Sequence, residues 1–207
     1  MIVGISGKAR SGKDTFAEML QIELNKTTYP PFVAMAFAHE LKTRCQAAFD
    51  LSYEQLWGDE KELEDKRYPK PWHDPDVGNW TAREIMQEYG AFYRKIDPEF
   101  WIKNLFKVAE AKEYNNIIIT DVRYTNEADY ILHKEGGYVI RVEREGKDDV
   151  HNMQHPSEIQ LDDYKKFDFV VHNNGTLDDL RKSAEDVARF LKHSETDLKK
   201  LGIIKGD

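Results

Sequence analysis

The stretch Met1-Ile2-Val3-Gly4-Ile5-Ser6-Gly7-Lys8-Ala9-Arg10-Ser11-Gly12-Lys13-Asp14-Thr15 decides the fold. Ile2, Val3 and Ile5 make a short apolar run that reads as a buried strand, and Thr15 onward reads as an amphipathic helix. Between them Gly7, Gly12 and Lys13 stand at the G-x-x-x-x-G-K spacing of a phosphate-binding loop. Glycines let the backbone curl until several N–H groups converge on one anion, and a helix N-terminus adds partial positive charge. Lys13 is placed to reach the outer phosphates of a nucleotide. The pattern usually carries Ser or Thr directly after the lysine; here Asp14 stands there and the hydroxyl comes at Thr15. Two readings of Asp14 stay open. It supplies an oxygen to Mg²⁺ or its waters, or it only adds negative charge to the first helical turn.

Outward from this loop, Phe16, Met19, Leu20 and Leu24 form a core stripe on a helix running from about Lys13 to Leu24. Phe32 to Phe37 is a second continuous apolar run, expected to be a strand covered on both faces, with a helix from His39 to Phe49. A strand, a helix and a strand in this order point to a parallel α/β sheet. Residues 52–80 hold Trp57, Trp72 and Trp80, three prolines and little periodicity, so they read as an inserted excursion. Thr81 and Glu84 form a capping box opening a helix to about Lys95, and another helix is expected from Glu99 to about Glu113.

Asn116 to Asp121 is the second landmark. Ile117, Ile118 and Ile119 make a buried strand whose carboxyl end carries Asp121, where open α/β sheets bind ligands. A carboxylate there either holds Mg²⁺ opposite the loop or caps a turn, and Arg123 can reach transferring phosphates. A helix over Thr125–His133, strands over Tyr138–Val142 and Phe167–Val171, an Asn173-Asn174-Gly175 turn and a final helix capped by Thr176 complete the pattern. The polar stretch 144–163 reads as a lid that carries cations and excludes water. His151 and His155 within it lack spaced partners, so no zinc site is expected. The tail 193–207 reads as peripheral.

The chain has 207 residues, 40% of them hydrophobic, and a net charge of −8. Such a chain is expected to fold as one globular domain, and the acidic balance disfavours nucleic acid as partner. Its one cysteine, Cys45, fits a reducing compartment. No run approaches a membrane span, and no leader precedes the first strand, so a cytoplasmic protein is expected.

Several further blocks stand in order: Phe37-Ala38-His39-Glu40-Leu41-Lys42, Gly58-Asp59-Glu60-Lys61-Glu62, Arg83 to Gly90 followed by Arg94 and Trp101, Asp121-Val122-Arg123 with Asn126-Glu127, His155 to Glu158, and Asn173-Asn174-Gly175. Together with the glycine loop they resemble the deoxynucleoside monophosphate kinases of tailed bacteriophages, over roughly residues 1–192. The resemblance implies a three-layer α/β P-loop NTPase fold of the nucleoside monophosphate kinase type. It has a parallel central sheet, an inserted acceptor-binding region over 52–113 and the lid over 144–163. It implies transfer of the γ-phosphoryl of ATP to a deoxynucleoside 5′-monophosphate with Mg²⁺, these small-molecule substrates as partners without nucleic acid or membrane, a homodimer as an option, and the cytoplasm of a bacterial host.

On that resemblance, Gly7, Arg10, Ser11, Gly12, Lys13, Asp14, Thr15, Arg144 and Asn174 would hold ATP, with Lys147 as a further lid cation. Asp14, Thr15 and Asp121 would hold the metal. Lys13 and Arg123 would serve the transferred phosphoryl, and Phe37, Lys42, Trp72, Arg83, Gln87, Arg94 and Trp101 the acceptor. From the residues alone two alternatives stay open: a P-loop kinase of phosphomevalonate or dephospho-coenzyme A, and a nucleotide-dependent switch.

Overall fold

The computed structural model describes residues 1–70, 78–146 and 156–192. The chain folds as two compact units, one formed by 1–36 with 109–207 and the other by 37–108.

The first unit is built on β1 (Ile2–Ser6), α1 (Lys13–Asn25) and β2 (Val33–Met35). The second holds α2 (Phe37–Phe49), α3 (Tyr53–Leu56), a 3₁₀ turn (Glu60–Glu62), β3 (Glu64–Pro69), β4 (Asn79–Thr81) and α4 (Ala82–Ile96), followed by α5 (Phe100–Ala111). The chain then returns to the first unit with β5 (Ile117–Val122), α6 (Thr125–Leu132), β6 (Gly137–Glu143), α7 (Pro156–Ile159), β7 (Phe169–His172) and α8 (Leu177–Lys192).

Five parallel strands in the order β2-β5-β1-β6-β7 make the sheet of the first unit. Side chains alternate across a strand, and β1 uses the alternation fully. Val3 and Ile5 face a core of Phe16, Leu20 and Leu24 from α1 and Val187 and Leu191 from α8. Gly4 faces the other way, against Ile131 of α6. Helices thus cover both faces, giving the three-layer α/β fold expected of a P-loop kinase.

The second apolar run departs from expectation. Phe32 to Phe37 reads as one strand covered on both faces, but the strand is only Val33–Met35. It lies at the sheet edge beside β5, where a strand is only half covered. Phe37 turns inward as the first residue of α2.

In the second unit Cys45, Leu51, Leu56, Ile85 and Met86 form the core. Within 52–80 the described residues carry more order than their composition suggests, because β3 and β4 pair as an antiparallel ribbon. Thr81 and Glu84 close both arms of the capping box at the start of α4. Among the described residues no helix is long and apolar enough to cross a membrane.

Candidate functional site

The glycine loop leaves β1 at Ser6 and enters α1 at Lys13, so a buried strand fixes one end and a packed helix the other. Gly12 has φ 87°, a left-handed conformation that glycine adopts without penalty. A Cβ on Gly12 would also come within 2.3 Å of Asn173 Nδ2. Asn173 explains the close fit: its Nδ2 donates to the Ser11 carbonyl at 2.9 Å, pinning the loop from the turn between β7 and α8. Gly7 is equally confined, since a Cβ there would lie 2.5 Å from Ser11 Oγ and 2.6 Å from the Val142 carbonyl.

The first helical bond of α1 runs from Phe16 N to Gly12 O, and no side chain caps the helix among the described residues. The N–H groups of the first turn are therefore open to a ligand. In the same loop Ser11 Oγ is buried and has no hydrogen-bond partner among the described residues. Lys13 is only 7% exposed, and its Nζ lies 3.4 Å from Asp14 Oδ2, while the Asp14 carboxylate itself reaches solvent. Arg10 is exposed and Thr15 half-buried. These are the chemical elements an anion seat needs: an uncapped helix end and a buried ammonium.

Beside it, β5 brings Val122 opposite Ser6, which puts Asp121 and Arg123 at the root of the loop. Glu127 holds the Arg123 segment, accepting from Arg123 N at 2.9 Å and Tyr124 N at 3.1 Å. A cavity of about 440 Å³ adjoins the loop, walled by Lys8, Ser11, Arg141, Arg144, Asp162 and Asn174 among others. Asn174 Oδ1 accepts from Glu145 N at 2.9 Å, which joins the turn after β7 to the segment after β6. Thr15 Oγ1, the Asp121 carboxylate and the Asp14 carboxylate are hard oxygen donors of the kind Mg²⁺ takes.

The second unit carries the expected acceptor residues on α2 and α4. Arg83, Gln87 and Arg94 follow helical spacing along one stripe of α4. Gly90 in that stripe approaches Arg94 Nη1 and the Leu41 side chain of α2. Lys42, next to Leu41, lies over the Trp57 ring at 5.7 Å, and Arg83 Nε is ion-paired with Glu62. Phe37 and Trp101 are placed differently. Phe37 is buried, and Trp101 is 2% exposed with its indole N–H donating to the Gly90 carbonyl at 3.2 Å. Phe37 opens α2, and Trp101 lies in α5 against the Tyr93 and Phe100 rings. Trp72, Lys147, His151 and His155 lie outside the described residues, as does the tail 193–207.

The pattern reading missed Asn173, Lys8, Arg141, Asp162 and the Lys70–Glu84 pair, joined at 2.8 Å. Burial raises the Glu84 carboxyl, but Lys70 and the Thr81 cap outweigh it and leave it below its ordinary value. Lys8, Glu84 and Asn173 stand in the loop, the capping box and the Asn-Asn-Gly turn without a site role being legible there, and Arg141 shows as a charge inside an otherwise apolar strand.

Residues 72–184 match the family model for deoxynucleotide monophosphate kinase. A protein of Acanthamoeba polyphaga mimivirus, whose name assigns it provisionally as a deoxynucleotide monophosphate kinase, is 33% identical over 197 residues. That match covers 86% of this chain and 91% of the viral protein.

Proposed function

Since the chain belongs to the deoxynucleotide monophosphate kinases, we propose that it transfers the γ-phosphoryl of ATP to a deoxynucleoside 5′-monophosphate. The products are ADP and a deoxynucleoside diphosphate for DNA precursor synthesis. The observation that carries the donor half is the glycine loop. Its cradle is closed to any Cβ at Gly7 and Gly12, Ser11 Oγ is buried and unpartnered among the described residues, and α1 is uncapped beside it.

In this reading the loop residues Gly7 to Gly12 (Arg10 and Ser11 included) and Lys13 hold the donor phosphates. Arg144 and Asn174 wall the adjoining cavity, whose volume of about 440 Å³ suits a nucleoside. Thr15 and Asp121, with Asp14 at the rim, would hold Mg²⁺, which supplies charge neutralisation to the phosphates when bound. Lys13 and Arg123 bring positive charge to the phosphoryl in transit. Lys42, Arg83 and Arg94 grip the acceptor phosphate, and Gln87 and Trp72 contact its base. Phe37 and Trp101 shape the acceptor unit from within.

The test is an ADP-release assay with ATP and Mg²⁺ across deoxynucleoside monophosphates, their ribose counterparts, phosphomevalonate and dephospho-coenzyme A. Turnover is expected with one or more deoxynucleotides, and Lys13→Ala should lower it at least about a hundredfold. Turnover confined to phosphomevalonate or dephospho-coenzyme A, or release of ADP that ignores the acceptor, would overturn the proposal.

A further inference from the structure

Of one polar cluster only Lys8, as a member of the loop, has a role above; Arg141, Ser6 and Asp162 have none. Arg141 sits in β6 between Ile140 and Val142, both fully buried, and is itself 6% exposed. A guanidinium in such a place is strongly unfavourable unless its protons are taken up. Its Nη1 donates to Ser6 Oγ at 3.1 Å and its Nη2 to Asp162 Oδ1 at 3.2 Å. Ser6 is the last residue of β1, directly before Gly7. The second oxygen of Asp162 lies 3.2 Å from Nζ of Lys8, inside the loop. One carboxylate therefore joins the sheet to the loop.

The segment that presents this carboxylate is itself held. Leu161 is buried, Phe167 lies under the Arg141 guanidinium at 5.8 Å, and Tyr164 donates its hydroxyl to Asp129 at 2.8 Å. Lys8, Arg141 and Asp162 all face the cavity beside the loop. A free lysine side chain samples many rotamers, and ordering it on binding is costly. A fixed carboxylate removes that cost in advance. Together with Glu143, whose Oε1 lies 3.8 Å from Arg141 Nε, it also balances two cations that line the cavity.

We propose that Asp162 is a positioning residue for the donor nucleotide: it fixes Lys8 at the loop and, through Arg141 and Ser6, the loop's point of departure from β1. The proposal rests on the donor-site reading, so its test uses binding of ADP by calorimetry, which needs no acceptor and no turnover.

Asp162→Asn should weaken ADP about tenfold, because the amide keeps one acceptor for Arg141 and gives up the pair with Lys8. Asp162→Glu, which keeps the charge and shifts the oxygens, should weaken it about threefold with the melting temperature unchanged. In a cycle with Lys8→Met, the double variant should bind less weakly than the product of the two single effects, because both remove the same pair. KM for the acceptor should stay within about twofold throughout. Wild-type or tighter ADP binding in Asp162→Asn would overturn the proposal and make the carboxylate a competitor of the phosphates. Strictly multiplicative effects with Lys8→Met would also overturn it. If Asp162→Asn does not fold, Asp162→Glu decides: threefold weaker binding supports the proposal and wild-type affinity refutes it. Failure of the wild-type protein to bind ADP would remove the donor-site reading itself, and this inference with it.

Discussion

Gly12→Ala tests the geometry of the loop most directly. The substitution does two things. It places a side chain on a left-handed residue, φ 87°, which costs about 1–2 kcal/mol. It also drives a methyl to 2.3 Å from Asn173 Nδ2, so the amide must leave. That breaks the bond from Asn173 to the Ser11 carbonyl at 2.9 Å and strands a buried acceptor, worth a further ~1–3 kcal/mol. The sum is about 3 kcal/mol, which for a chain of this size lowers the melting temperature by roughly 6–12 °C. Loop displacement should also lower kcat/KM about a hundredfold.

The decisive measurement is a double-mutant cycle with Asn173→Ala, read by thermal or urea unfolding. Asn173→Ala alone loses the same hydrogen bond. In that background Gly12→Ala has no amide to displace and retains only its backbone strain. The double variant should therefore be more stable than the sum of the singles predicts, by about 1–3 kcal/mol. Additive costs, or a Gly12→Ala protein with wild-type melting and activity, would refute the account of why glycine stands there.

Glu127→Gln should lower kcat about tenfold with little change in either KM, because the carboxylate that holds the Arg123 segment loses its charge; steady-state kinetics check this. Trp101→Phe should destabilise the protein by about 1–2 kcal/mol through the lost bond to the Gly90 carbonyl, yet leave acceptor KM within about twofold. A large KM change would mean that the indole meets substrate. Asp65 is 7% exposed, and hydrogen bonds from Arg67 hold its carboxyl far below the ordinary range despite the burial that raises it. A depressed folded-state pKa stabilises above the unfolded value, near 4, and that stability is lost as pH falls further. Asp65→Asn should thus cost ~2 kcal/mol at pH 7, with the gap to wild type narrowing below about pH 4 in urea titrations.

What could be read from the sequence was set by the reach of each interaction along the chain. The glycine loop is legible because its requirements are local: a strand, two confined glycines, a lysine and a helix within fifteen residues of the start. The capping box at Thr81 and Glu84 is legible for the same reason, since its partners stand three residues apart. The edge position of β2 is not. Val33 to Met35 would look the same in the middle of a sheet, and only the strand order shows that one side is unpaired. Trp101 shows a different limit. A tryptophan that stacks on a base and one that packs on a carbonyl have the same spacing, and the Gly90 carbonyl within reach of the indole appears only in the fold. The parts of the site that pattern reading missed are those held over long separations. Asn173 meets Ser11 across 162 residues, and Arg141 meets Ser6 across 135. No periodicity encodes such a pair. Its trace is an apparent misfit, like the arginine within the run Tyr138 to Val142, which makes no sense as part of a core strand until the carboxylate and hydroxyl that surround it are known. A charge that breaks an apolar strand next to a glycine loop therefore argues for a polar network reaching into that loop, and the variants of Asp162, Lys8 and Asn173 measure how far the loop depends on it.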